Sequence, residues 1–165
     1  SGDTLIDEAT QEFDDSGVVL RAELIPGAGE TVRRLHERGY RLAMVADGLA
    51  QSFKNMMTQH GLYDLFEVMI YSECIKALKP HPRMFKAAAA AMEIEPHEFG
   101  RVVMVGNNLK RDIRGANGVG MISVHLNWSP RYAKEPADEL EVPQYTIREP
   151  LELLELAEKI ERERF

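Results

Sequence analysis

A chain of 165 residues with 44% hydrophobic side chains can build one domain around one substantial core, and leaves little room for a second. Its net charge of −7 and pI near 5.3 give no long-range pull toward a nucleic-acid backbone or an anionic membrane, so neither is expected as a partner. The single cysteine, Cys74, has no disulfide or CxxC partner, which suits a reducing compartment and makes a small buried apolar residue its plainest role. No stretch approaches eighteen apolar residues and no basic-then-apolar leader opens the chain, so a cytoplasmic protein is expected. The first residue is Ser1 and not Met, as at a processed, tagged or truncated start.

Residues 1–25 are acidic and show no clear period, with Val18 to Leu24 as a strand or flap. From residue 26 to 165 short β-type runs alternate with helix-period segments, the mark of a parallel sheet covered by helices. Ala28, Val32 and Leu35 define a first helix after Pro26 and Gly27, closed at Gly39. A strand Tyr40 to Val45 follows, then a helix with Leu49, Phe53, Met56 and Met57 on one face, ended by Gly61. Phe66 to Ile70 is the next strand, and Pro82 opens a helix that turns Phe85, Ala88, Ala89 and Met92 to the core. Val102 to Val105 is a continuous apolar run, as for a strand buried on both faces. Met121 to Leu126 and Tyr145 to Ile147 supply two more strands, and Leu153, Leu154, Ala157 and Ile160 form the buried stripe of a last helix after Pro150.

In an open parallel sheet, functional groups gather at the carboxyl ends of strands. Three such places carry polar residues: Ala46-Asp47-Gly48, Lys79-Pro80, and Gly106 through Asp112. The third joins a polar pair, Asn107 and Asn108, to a carboxylate five residues after Asn107, and amide carbonyl and carboxylate oxygens together suit Mg2+. The same residues also suit a turn with a capped helix. Lys79 reads either as a surface lysine or as a fixed cation for a phosphoryl group. Asp47-Gly48 reads either as a plain turn or as a helix start whose amides cradle phosphate.

The order and spacing of these pieces resemble the haloacid dehalogenase (HAD)-like hydrolases over about residues 24–126. Leu42 to Gly48 resembles the family's second motif, and Leu78-Lys79-Pro80-His81-Pro82-Arg83-Met84-Phe85 its lysine motif. Val103-Met104-Val105-Gly106-Asn107 through Asp112-Ile113, with Gly115-Ala116 and on to Met121, resembles its metal motif. The resemblance implies a Rossmann-like three-layer α/β/α core with a central parallel sheet. It also implies a Mg2+-dependent phosphatase in which an aspartate attacks phosphorus and water hydrolyses the aspartyl phosphate. Lys79 would be the charge clamp, Asp112 and Asn107 the metal residues, and Ala46, Asp47 and Gly48 the phosphoryl-binding turn.

Three departures stand beside that likeness. Asn107 replaces the usual Asp, Ala46 replaces the usual Ser or Thr, and Ser1-Gly2-Asp3-Thr4-Leu5-Ile6-Asp7 resembles only the tail of the first motif. The nucleophilic Asp would then lie one residue before Ser1, with Gly2 in the place of the acid/base Asp and Asp3 as a displaced acid or a turn residue. Some twenty residues between this remnant and Pro26 hold a flap or hairpin at most. Such an open site takes larger phosphorylated substrates, or is covered by a neighbouring subunit. A catalytically inactive relative that binds a phosphorylated ligand or a partner is the competing class, and a receiver-type signalling domain is a more distant one.

Overall fold

The computed structural model describes residues 2–165, and the alternation read from the sequence is its architecture. Helix α1 (Ala28–Glu37) buries Ala28, Val32 and Leu35. Strand β3 (Ala43–Ala46), after the short β1 and β2 described below, leads into α2 (Ala50–Gln59), whose Phe53, Met56 and Met57 point inward. Strand β4 (Val68–Tyr71) is followed by the one-turn α3 (Ser72–Ile75), and α4 (Pro82–Ala91) starts on Pro82 with Met84, Phe85, Ala88 and Ala89 buried. After β5 (Val103–Gly106) the chain makes a π-helical turn over Leu109–Ile113 and continues as α5 (Arg114–Val119). Strands β6 (Ile122–Leu126) and β7 (Tyr145–Ile147) and helix α6 (Glu152–Arg164) complete the chain.

The parallel strands fall into two groups. β3 pairs with β4, with Ala46 opposite Tyr71, while β5 pairs with β6 and β6 with β7, with Gly106 opposite His125. β3 and β5 are not hydrogen-bonded to each other. Between them runs a slot of about 580 Å³, walled along its length by Ala43 to Val45 and Val102 to Val105 and above and below by Leu35, Phe85, Leu126 and Ile160. The slot explains a departure from expectation. Val102 to Val105 was expected to be buried on both faces, yet Val103 is 36% exposed and Met104 and Val105 are only partly covered, because they border the slot. β6 is the strand that is buried at every position.

The segment Val18 to Leu24 does not fill that slot. Val19–Arg21 is β2, which pairs antiparallel with β1 (Glu12–Phe13) as a small hairpin. The hairpin is fastened to α2: Ser52 Oγ accepts the Val19 N–H at 2.9 Å, Asn55 Nδ2 donates to Val19 O, and Gln59 Oε1 accepts the Ala22 N–H. Cys74 is exposed, not buried, since α3 is a single turn at the surface. Among the described residues, no helix is long and apolar enough to cross a membrane.

Candidate active site

The slot opens, at the carboxyl ends of β3 and β5, onto a buried ion pair. Lys79 Nζ lies 2.7 Å from Asp112 Oδ1 and also donates to the Val45 carbonyl at 3.0 Å, which ties the lysine to the ends of both strand groups. The π-helical turn carries Asp112 inward, and its Oδ2 accepts the Asn108 N–H at 3.1 Å. Burial alone would raise the Asp112 pKa, but the Lys79 ammonium and the Asn108 N–H outweigh it and hold the carboxyl below its ordinary value. Gly106 permits this approach, because a Cβ there would lie 2.3 Å from Asp112 Oδ2.

Asn107 stands beside the pair with its carbonyl oxygen taking the Thr4 hydroxyl proton at 3.2 Å. Its Nδ2 is buried and has no hydrogen-bond partner among the described residues. His125 on β6 is 3.2 Å from the Asn107 main-chain oxygen, and burial pushes its imidazole pKa down, so the neutral ring donates from Nε2. Among the described residues no group of three or more His, Cys, Asp or Glu is gathered as a metal cage. The oxygens that are present, one carboxylate and one amide carbonyl, match the sparse way Mg2+ is held when water and substrate phosphate complete its shell. A half-turn of the Asn107 amide would free its carbonyl in place of the orphaned Nδ2 and let Nδ2 donate to Thr4, so the donor set fits.

At the end of β3, Ala46 is fully buried and brings no hydroxyl. Asp47 Oδ1 accepts the Lys79 N–H at 2.9 Å, and its Oδ2 is 3.4 Å from Arg111 Nη1. The amides expected to cradle phosphate are already engaged within the chain: Gly48 N–H donates to Ser72 Oγ and Ala50 N–H to Glu73 Oε2, each at 2.8 Å. Lys79, Asp112, Asn107 and Asp47 are thus brought together, while Gly48 faces the turn after β4.

Asp3 lies in a different setting from the open acid expected of it. It is fully buried, and the Arg131 guanidinium grips both its oxygens at 2.7 Å, with Ser129 Oγ and the Glu8 N–H as further donors. Burial raises its pKa, and these donors together bring it below the ordinary carboxylate value. Arg131 also reaches Asp7 at 2.9 Å, and the Tyr132 hydroxyl reaches both oxygens of Glu8 at 2.9 and 2.7 Å. Sequence reasoning passed over Ser129, Arg131, Tyr132 and Glu8. The available signal was the Ser129-Pro130-Arg131-Tyr132 run, separated by two residues from the end of β6 at Leu126, at the functional end of the sheet.

Comparison with known proteins agrees with this geometry. Residues 2–126 match the sequence profile described as Haloacid dehalogenase-like hydrolase. A glyceraldehyde 3-phosphate phosphatase of Methanopyrus kandleri is 33% identical over 138 residues, 84% of this chain and 58% of that protein. The crystal structure of a HAD phosphatase from Thermococcus onnurineus superposes with a TM-score of 0.70 at 29% identity, covering 82% of this chain and 59% of the other. An uncharacterised Listeria monocytogenes protein shares the fold over 95% of both chains, with a TM-score of 0.69 at 23% identity. The fold is therefore Rossmann-like α/β, and the chain belongs to the haloacid dehalogenase-like hydrolase family. It spans just under three-fifths of the curated relative's length.

Proposed function

We propose that this chain is the core of a Mg2+-dependent phosphomonoesterase acting on a phosphorylated substrate in the cytoplasm. The observation that carries the reading is the buried Lys79–Asp112 pair at the common mouth of β3 and β5. A cation held there by a carboxylate and a carbonyl, with a spare N–H, can turn toward phosphoryl oxygens and offset the charge that grows on them. Asp112 and the Asn107 carbonyl would hold Mg2+, which when bound withdraws charge from the same oxygens. Asp47 fixes the Lys79 main chain, and Arg111 stands half-exposed at the rim, where a second anionic group of a substrate would meet it.

The attacking carboxylate, in this reading, arrives on a strand that fills the slot, since the described carboxylates that border it are Asp112, paired with Lys79, and Glu161, which accepts the Tyr40 hydroxyl ahead of β3 and away from the carboxyl ends of the strands. Relatives named for glyceraldehyde 3-phosphate and phosphoglycolate make small phosphorylated metabolites the first substrates to try. The test is phosphate release from such esters by the chain with that strand in place, with and without Mg2+, beside Asp112→Asn. Release that needs both the metal and Asp112 supports the reading. Release indifferent to either overturns it.

A second reading, a phospho-ligand binder without turnover, is favoured by the engaged Gly48 and Ala50 amides and by Ala46. Tight binding of inorganic phosphate in calorimetry, with no ester cleaved, would select it.

A further inference from the structure

We propose that Glu8 is the proton-transferring carboxylate of this site, in the role expected of Asp3. The assignment rests on the phosphatase reading above. Gly2 has no side chain, and a Cβ built on it would lie 2.1 Å from Glu8 Oε1, 2.8 Å from Cδ and 2.9 Å from Cγ. The Glu8 carboxyl therefore fills the space that a side chain at position 2 would take. A tight turn brings the two together: Asp3 N–H donates to the Ile6 carbonyl at 2.6 Å, and Glu8 N–H donates to Asp3 Oδ1 at 3.0 Å.

The carboxyl is also aimed. The Tyr132 hydroxyl, within 2.7 and 2.9 Å of the two Glu8 oxygens, donates its one proton to the group and fixes its direction. Burial and the Glu8 charge push the Tyr132 phenol up to about 12, so it stays a donor throughout the neutral range. Glu8 is half-buried and so keeps a path to water. It shares the site's mouth: Thr4, two residues beyond Gly2, donates to Asn107, and Arg111, which touches Asp47, lies near enough to act on Tyr132.

Asp3 cannot serve in its place. Its oxygens are shared among Arg131, Ser129 and the Glu8 N–H, and it is sealed from water. A carboxylate saturated with donors gives up no proton near neutral pH. It is a positioning residue, whose clamp on Arg131 holds the turn that presents Glu8.

In the first step a carboxylate oxygen bonds to phosphorus as the ester P–O bond breaks. The electron pair passes to the leaving oxygen, which takes the proton of Glu8. In the second step Glu8, now ionised, takes a proton from the water whose oxygen bonds to phosphorus. The acyl phosphate P–O bond breaks with its pair returning to the carboxylate, and phosphate leaves.

The test compares kcat/KM for an alkyl phosphate and for p-nitrophenyl phosphate in the chain with the Asp-ending strand that fills the slot in place, and in its Glu8→Gln, Glu8→Asp and Tyr132→Phe variants. An alkoxide needs a proton as it leaves and a nitrophenolate hardly does. Glu8→Gln is therefore expected to lose about 10²–10⁴-fold on the alkyl ester and less than about tenfold on the aryl ester, with partial recovery in Glu8→Asp. Equal loss on both esters would make Glu8 structural and overturn the assignment, as would an unchanged rate on the alkyl ester. If Glu8→Gln does not fold, Tyr132→Phe decides: loss confined to the alkyl ester supports the proposal and equal loss overturns it. If that chain, with Glu8 and Tyr132 unchanged, releases phosphate from neither ester, the phosphatase reading is overturned, and this assignment with it.

Discussion

Lys79 and Asp112 neutralise one another across 2.7 Å, with side chains only 8% and 5% exposed. Removing one partner strands the other as a buried charge. Lys79→Met is expected to cost about 3–5 kcal/mol, while Lys79→Met with Asp112→Leu should cost much less, because no charge is left unpaired. Urea unfolding of the three proteins measures both. If the double variant is as unstable as the single one, the pair is not a compensated unit.

Acid should undo the fold through two carboxyls. Asp112 and Asp3 both have folded-state values held below the ordinary 3.8. The unfolded chain therefore takes up their protons first as the pH drops. Their contribution is complete above about pH 4 and is lost as pH falls through the lower folded values. Asp3→Asn should give a shallower acid limb than wild type in stability measured against pH. A slope as steep as wild type would remove Asp3 from the acid response.

Gly106 lets Asp112 come close, and a methyl group would end that closeness. In Gly106→Ala the new Cβ meets Asp112 at 2.3 Å, so the carboxylate must move away from Lys79. The expected cost is about 1–3 kcal/mol from overpacking, together with weaker Mg2+ binding in titration calorimetry. Gly115→Ala is the control, since its Cβ would meet the Phe85 ring at 2.2 Å. It should cost stability and leave metal affinity nearly unchanged.

The slot between β3 and β5 invites a strand. Adding an apolar five-residue segment that ends in Asp directly before Ser1 should raise the melting temperature, because open main-chain groups gain partners and Val103, Met104 and Val105 lose contact with water. The same addition should produce Mg2+-dependent cleavage of an aryl phosphate. No rise in melting temperature would mean that the slot does not accept a strand.

Lys79 and Asp112 were legible as partners in one site because each follows a parallel strand of one α/β layer, and the strands of such a layer deliver their carboxyl ends to one place. Asp47 was legible for the same reason, as were the core faces of α1, α2, α4 and α6, whose apolar residues recur at helical spacing. The Arg131 grip on Asp3 was not. It joins segments without periodic pattern, and which carboxylate a guanidinium will find across a fold is not written in local spacing. The exposure of Val103 was also hidden, since an apolar run states what a strand prefers and not whether its neighbour is in place. Asn107 was read as a ligand by residue type alone; that its carbonyl meets Thr4 depends on the turn the opening segment makes.

The clamp between Asp3 and Arg131 spans 128 positions, and its two ends have no shorter covalent route to each other. Contacts of that separation are rewarded only after the intervening chain has been ordered, so loop-closure entropy sets them late. During synthesis the opening turn leaves the ribosome long before the loop that will hold it. The mouth of the slot is therefore expected to assemble at the end of folding, when β6 is in place, and a growing chain would carry the parts of the site without carrying the site.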